Sequence, residues 1–179
     1  MTISAKQKAV LQETHAKSPY WGDGTVVEKL KYYTPYINSR MCDTVLNYGA
    51  SYLDTDKLAI PLKDWSPYVK EVINYDPAIP GIDVEPTTPA DFVLMLDVLE
   101  HVEPDHLDST LKSLQGLMKK GGMVSVAVKL TNRVLTDGSP AVRNVQDHDW
   151  WEAKIAEYFA IDKEVMRTGA HYMCIVSPK

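Results

Sequence analysis

A short apolar run that ends abruptly in charge limits the possible fold more than any other stretch of this chain. The run is Phe92–Leu96, which contains no polar residue and is preceded by Pro89. An uninterrupted apolar segment of this length indicates a strand buried on both faces, as in a parallel sheet covered by helices. The polar residues Asp97, Glu100 and His101 follow directly. Because ligands of open α/β sheets bind at the carboxyl ends of strands, these side chains mark a candidate site.

Strands and helices alternate along the rest of the chain. The predicted strands are Thr44–Asn47, Glu71–Asp76, Phe92–Leu96, Met123–Val128 and a final pair, Ile161–Met166 and His171–Val176. Helices are predicted within Ile3–His15, from Thr25 to a break near Pro35, and partly within Tyr52–Trp65, where Pro61 and Pro67 are expected to interrupt the helix. Two more are predicted, one from Pro104 through Lys119 and Lys120 to a stop at Gly121-Gly122 and one after Asp147. The segment 81–89, which is rich in proline, is predicted to be a loop.

This alternation predicts an α/β fold, a three-layer sandwich with a mostly parallel Rossmann-like sheet and an antiparallel C-terminal strand pair. We expect a single domain over residues 1–179, in which residues 1–40 form N-terminal helices and residues 44–179 form the Rossmann-like core. The length of 179 residues and a hydrophobic fraction of 45% suit one compact domain and argue against disorder.

Composition also bears on location and partners. No apolar run approaches the roughly 18–20 residues that span a bilayer, and the N-terminus lacks the apolar core of a signal peptide. Two distant cysteines, Cys42 and Cys174, predict neither a disulfide framework nor a zinc site. We therefore expect a cytoplasmic protein without a membrane segment or metal. The net charge of −5 makes duplex DNA an unfavoured partner.

Two further strand ends carry informative residues. Asn47, Tyr48, Gly49, Ala50 and Ser51 follow the first strand. A glycine at such a position lets a ligand approach the backbone closely, although it is as often a simple turn. Asp76 ends the second strand and is followed by Pro77. An acidic residue there either accepts hydrogen bonds from ribose hydroxyls or begins an Asp-Pro turn.

Glu100 and His101 form a candidate acid/base pair, because histidine side chains titrate near neutral pH. Alternatively, they cap the following helix or face solvent. A metal site is less favoured, because no second carboxylate–histidine cluster has a matching spacing. Lys129, Arg133 and Arg143 come after the strand Met123–Val128. They would attract an anionic acceptor such as a nucleotide, or they form a solvated loop.

Three segments together resemble motifs of the class I S-adenosylmethionine-dependent methyltransferases. They are Val45–Ser51, Tyr75–Ile79 and Leu96–Pro104, the last containing the string Asp-Val-Leu-Glu-His. More narrowly, the chain resembles small methyltransferase-like proteins encoded by tailed bacteriophages. In those proteins similar segments precede an Asp-Gly loop, an Arg-Asn pair and a Trp-Trp helix, matched here by Asp137-Gly138, Arg143-Asn144 and Trp150-Trp151. The resemblance covers roughly residues 20–160.

The resemblance implies a methyltransferase that uses S-adenosylmethionine and acts on a small or nucleotide-like acceptor, in the host cytoplasm if phage-encoded. It implies that Asn47, Tyr48, Gly49, Ala50 and Ser51 line the methionine part of the cofactor, that Asp76 with Pro77 binds the ribose, and that Asp97 and Val98 flank the adenine. Glu100 and His101 would lie on the acceptor side, with His101 as the candidate base. Trp21 and Gly22 would help to close the site.

The chain departs from the family pattern at two positions. Asn47 stands where the family usually has an acidic residue, and Ser51 stands where it has glycine. These departures support a second hypothesis, a degenerate methyltransferase-fold protein that binds a host protein partner without catalysis. Cofactor binding separates the two hypotheses. A nicotinamide-dependent dehydrogenase is less favoured, because the glycine pattern of dinucleotide-binding turns is absent from residues 47–52.

Overall fold

A computed structural model describes residues 1–18, 25–51 and 55–179. The helices are α1 (Ala5–Lys17), α2 (Thr25–Glu28), α3 (Leu30–Ser39), α4 (Thr55–Trp65), α5 (Pro104–Leu117) and α6 (His148–Tyr158), with a 3-10 turn at Leu99–His101. The strands are β1 (Thr44–Tyr48), β2 (Glu71–Tyr75), β3 (Ala90–Leu96), β4 (Met118–Ala127), β5 (Phe159–Arg167) and β6 (His171–Pro178).

All six strands belong to one sheet in the order β2-β1-β3-β4-β6-β5. Strands β2, β1, β3 and β4 run parallel, whereas β6 is antiparallel to both β4 and β5. Strand β3, which contains the apolar run, is buried at every residue. The prediction of a mostly parallel sheet with an antiparallel C-terminal pair is therefore confirmed.

Helices cover both faces of the sheet. Side chains along β3 alternate, so that Val93 joins one hydrophobic core and Phe92 joins the other. On the first face α5 and α6 contribute buried residues such as Leu111 and Trp151. On the second face the core includes residues of α2, α3 and α4, among them the fully buried Tyr33. This arrangement confirms the predicted three-layer sandwich.

The predicted helix breaks at proline are wrong. Helix α3 continues through Pro35 to Ser39, and α4 continues through Pro61 to Trp65. An internal proline removes one backbone hydrogen bond from a helix. In α3 the proline stands between Tyr33 and Ile37, both completely buried, and this packing outweighs the lost hydrogen bond.

The predicted end of α5 is also wrong. Lys119 and Lys120 do not belong to its last turn, because the helix ends at Leu117 and β4 starts at the next residue. The two glycines that were expected to stop the helix lie within β4 instead. A Cβ on Gly122 would fall 2.6 Å from the carbonyl oxygen of Val93 in β3. Glycine at this position therefore lets the two central strands approach closely.

Candidate functional site

The ends of β1, β2 and β3 are bound to one another at the carboxyl edge of the sheet. The N–H of Gly49 donates to the carbonyl oxygen of Tyr75 at 2.8 Å, and the N–H of Ala50 donates to the same oxygen at 3.0 Å. Gly49 has φ +82°, and a Cβ there would fall 2.6 Å from Cγ2 of Val98. The turn after β3 therefore closes directly onto the turn after β1.

A small cavity lies at this edge. Its volume is about 90 Å³. The strand-end residues that line it are Gly49, Ser51, Asp76, Pro77, Asp97, Val98 and His101. All of them are among the predicted site residues, so the structure brings together most of the residues that the sequence singled out.

The N-terminal segment forms a roof over this first cavity, which the sequence did not predict. Met1, Ile3, Leu11 and His15 line it from α1 and the residues before it, together with Leu135. Polar contacts hold the roof in place. The Ser4 hydroxyl donates to Glu103 at 2.8 Å, and Arg143 Nη2 donates to Oε1 of Gln7 at 2.6 Å.

Asp76 organises two turns at once. Its Oδ2 accepts the N–H of Ser51 at 2.9 Å, and its Oδ1 accepts the N–H of Ala78 at 2.9 Å. Ser51 has φ +56°, the left-handed conformation in which a side chain is disfavoured, and the bond to Asp76 helps to hold it there. Each carboxylate oxygen has two lone pairs, so Asp76 retains the capacity to accept a ligand hydroxyl.

Asp97 forms an ion pair that the sequence did not predict. Lys29 Nζ lies 2.9 Å from Oδ1 and 2.8 Å from Oδ2 of Asp97, and it also donates to the Ser125 hydroxyl at 2.8 Å. The backbone of Asp97 has φ +58°. Lys29 stands between α2 and α3, so its side chain ties these helices to the ends of β3 and β4.

Glu100 is almost completely buried, with 1% of its surface exposed. Its Oε1 accepts the N–H of Ala127 at 2.9 Å. Its Oε2 has no hydrogen-bond partner among the described residues. Burial raises the pKa of this carboxyl from 4.5 to about 7. Because burial disfavours its charged form, Glu100 keeps its proton between pH 4.5 and about 7, where an exposed glutamate releases it.

The neighbouring His101 has one ring nitrogen occupied. Its Nδ1 lies 2.7 Å from the carbonyl oxygen of Ala141. A carbonyl only accepts, so Nδ1 carries the proton of this hydrogen bond. In the neutral ring Nε2 then keeps its lone pair, which is the form a general base requires.

A second cavity of about 280 Å³ adjoins the first. Gly49, Asp97 and His101 line both cavities. The other lining residues of the second cavity are Leu96, Glu100, Ala127, Thr131, Arg133, Val142 and His171. His171 was not predicted, because it reaches the site through β6, where it pairs with Ala127 of the neighbouring strand.

Three predicted cofactor residues line neither cavity. Asn47 donates from Nδ2 to Oδ1 of Asn74 at 3.1 Å. The Tyr48 hydroxyl donates to Glu85 at 2.7 Å, and Ala50 is buried. Their contribution to a ligand site is therefore limited to the backbone. Trp21 and Gly22 lie outside the described residues.

The Arg-Asn pair and the Trp-Trp pair support the fold around the site. The N–H groups of Arg143 and Asn144 both donate to the carbonyl oxygen of Glu100, at 2.7 and 3.0 Å. Trp151 is completely buried, whereas Trp150 is partly exposed. The Arg-Asn pair thus holds the 3-10 turn that carries Glu100 and His101.

None of the helices in ranges 1–18, 25–51 and 55–179 is long and apolar enough to cross a membrane. Within the same ranges no three His, Cys, Asp or Glu side chains are grouped so that they could hold a metal ion.

The fold is the class I methyltransferase fold. The chain is similar to magnesium protoporphyrin IX methyltransferase from Synechocystis PCC 6803, solved with bound S-adenosylhomocysteine. The TM-score is 0.63 at 15% identity, over 97% of this chain and 100% of that one. It is also similar to 1,6-didemethyltoxoflavin-N1-methyltransferase from Burkholderia thailandensis, with a TM-score of 0.54 at 17% identity, over 100% of this chain and 92% of that one.

A third similar structure is mitomycin 7-O-methyltransferase MmcR, with a TM-score of 0.57 at 13% identity. The match covers 85% of this chain but 54% of that longer one. No protein-family model and no curated protein sequence matches this chain. The likeness is therefore one of fold.

Proposed function

We propose that this chain is an S-adenosylmethionine-dependent methyltransferase that acts on a small acceptor molecule. The observation that carries the proposal is the pair of adjoining cavities, which share Gly49, Asp97 and His101 as a common wall. Methyl transfer is an in-line displacement that needs a donor and an acceptor held side by side. In this proposal the cofactor binds in the first cavity and the acceptor in the second.

S-adenosylmethionine would supply a methyl group that is already activated by a positively charged sulfur. The residues of the first cavity fit this cofactor. Asp76 would accept hydrogen bonds from the ribose, and Pro77 and Val98 would provide apolar walls for the adenine. The backbone at Gly49 and Ser51 would face the methionine part. The volume of about 90 Å³ is far below the roughly 300 Å³ at which ligand pockets begin. The roof of the first cavity must therefore withdraw when the cofactor binds.

His101 and Glu100 are the proposed acid/base residues. His101 would take the proton that an N–H or O–H acceptor loses, using the lone pair on Nε2. Glu100 lies beside it, and its Oε1 accepts the N–H of Ala127. The proton that burial keeps on Glu100 would therefore sit on Oε2, which would donate it to a polar atom of the acceptor. Methyl transfer to an acceptor that already has a free lone pair needs no base, so the contribution of His101 depends on the acceptor.

The acceptor is proposed to be a small or nucleotide-like molecule. Thr131, Arg133 and His171 give the second cavity polar and basic groups, which suit an anionic or hydroxyl-rich acceptor. Two of the similar structures are methyltransferases whose names indicate a porphyrin and a toxoflavin precursor as substrates. Phage origin, a host protein partner and a cytoplasmic location stay predictions.

Titration calorimetry with S-adenosylmethionine and S-adenosylhomocysteine tests the proposal. We expect dissociation constants in the micromolar range for the wild-type protein. Asp76→Ala should weaken both by about 1.5–3 kcal/mol, the contribution of hydrogen bonds to a charged group. Circular dichroism must show that the variant is folded, because Asp76 also holds two turns. Absence of binding at millimolar ligand would refute the proposal and favour the degenerate protein without catalysis.

A further inference from the structure

The ion pair between Lys29 and Asp97 has the charges of an amino-acid binding site. We infer that Asp97 binds the ammonium group and Lys29 the carboxylate at the methionine end of the cofactor. This inference rests on the proposed function and refines it: the resemblance had set Asp97 against the adenine.

The position of Asp97 suits this role. Asp97 lines both cavities, whereas Lys29 lines neither and reaches this edge of the sheet through its contact with Asp97. Lys29 Nζ is within 2.9 Å of both carboxylate oxygens. The side chains are only 15% and 23% exposed, so the charges are partly withdrawn from water.

Charge balance favours a zwitterion as the ligand of this pair. Lys29 and Asp97 neutralise each other, so a ligand with a single charge would add an uncompensated charge to this partly buried site, which is costly. An amino-acid group brings one positive and one negative charge. Its ammonium on Asp97 and its carboxylate on Lys29 produce four alternating charges without adding net charge to the site.

The other polar side chains near the strand ends are less suitable for the ammonium group. Asn47 has no charge, and its amide is hydrogen-bonded to Asn74. Asp76 accepts two backbone N–H groups of neighbouring turns, and the proposed function uses its remaining acceptor capacity for the ribose. Glu100 lines only the second cavity, and burial raises its pKa to about 7. Asp97 thus replaces the acid that the family usually has at position 47.

The pair also has hydrogen-bonding capacity to spare. A carboxylate offers about four acceptor positions. Asp97 uses three of them, two for Lys29 and one for the Ser125 hydroxyl. Lys29 donates its third hydrogen to Ser125 at 2.8 Å, and a ligand carboxylate would take over this hydrogen because it is the stronger acceptor. The position of Lys29 between α2 and α3, with ψ 0°, interrupts the helix at this point.

Two ligands that differ only in the amino-acid end test the inference. S-adenosylhomocysteine contains this end, whereas 5′-methylthioadenosine has the same adenosine thioether without it. Calorimetry measures both dissociation constants for wild type, Lys29→Met and Asp97→Asn. Lys70→Met is a matched control, because Lys70 forms an exposed ion pair with Asp43 at 2.7 Å, away from both cavities.

We expect Lys29→Met and Asp97→Asn each to raise the dissociation constant of S-adenosylhomocysteine about tenfold or more and to leave that of methylthioadenosine unchanged. Lys70→Met should change neither, and Lys29→Arg should retain most of the selectivity. An equal loss for both ligands, or no loss, would overturn the inference, since a merely structural ion pair cannot sense the amino-acid end. If neither ligand binds the wild-type protein, the proposed function itself is refuted.

Discussion

Gly49 offers a quantitative test of the contact between the turns after β1 and β3. Its φ is +82°, and a Cβ there would lie 2.6 and 2.8 Å from the two Cγ atoms of Val98. Gly49→Ala therefore adds two costs. The left-handed backbone costs an alanine about 1–2 kcal/mol. Inserting a methyl group into a packed contact costs about 1–3 kcal/mol more.

Gly138 separates these two costs. It has φ +78°, almost the same as Gly49, but a Cβ there would meet nothing within 4 Å. Gly138→Ala should lower the free energy of unfolding by about 1–2 kcal/mol, from the backbone alone. Gly49→Ala should lower it by about 3 kcal/mol. Urea denaturation followed by circular dichroism measures both values.

Truncating Val98 supplies the decisive comparison. Val98→Ala removes both Cγ atoms and leaves only the Cβ, 3.3 Å from the added methyl group, so that Gly49→Ala made in this background should cost little more than Gly138→Ala. The coupling between the two positions should therefore be about 1–3 kcal/mol, the overpacking part of the cost. The contact would be refuted if Gly49→Ala and Gly138→Ala destabilised the wild-type protein equally, or if Val98→Ala gave no relief.

Two further predictions concern stability. Burial raises the pKa of Glu100 from 4.5 to about 7, so the folded state keeps a proton that the unfolded chain releases, and the free energy of unfolding falls as pH rises through this window. Glu100→Gln should remove that slope and stabilise the protein at about pH 8. A wild-type free energy of unfolding that stays flat between pH 4.5 and about 7 would contradict the burial argument. Asp147 caps α6 by accepting the N–H of Trp150 at 2.8 Å, so Asp147→Ala should cost about 1 kcal/mol in thermal unfolding, whereas an unchanged melting temperature would mean that the cap contributes nothing.

Much of the fold could be predicted because local patterns and tertiary packing agree. The apolar run of β3 and the polar residues after it correctly indicated the edge of the sheet at which the candidate site lies. The proline positions show where local rules fail: Pro35 and Pro61 remain inside helices because neighbouring buried side chains hold the helix in place. The strand β4 began earlier than predicted because its glycines meet a facing backbone rather than a turn.

The predicted site residues fall into two groups, those whose positions line a cavity and those whose side chains are hydrogen-bonded to neighbouring residues. Asp76, Asp97 and His101 line cavities, as their places at strand ends suggested. Asn47 and Tyr48 stand at the end of β1, yet their side chains bind Asn74 and Glu85 instead. No periodicity in the sequence reveals such cross-strand partners.

Residues distant in sequence could not be assigned to the site beforehand. Lys29 lies 68 positions from Asp97, and only the packing of α2 and α3 against the sheet brings the two charges together. His171 enters through an antiparallel neighbour of β4. Each of these contacts depends on topology, which a pattern of strands and helices leaves open.

In the proposed function, the roof formed by α1 would determine when a ligand can exchange. Its buried residues include Gln7, Thr14 and His15, and it is held largely by polar contacts to loops of the core. Water can replace such hydrogen bonds at a small net cost, so the helix can detach without exposing a large apolar face. If the cofactor binds in the first cavity as proposed, it would cross this boundary only while the helix is away. Its residence time would then follow the lifetime of the closed helix, and loosening α1 would speed exchange while leaving the reacting groups untouched.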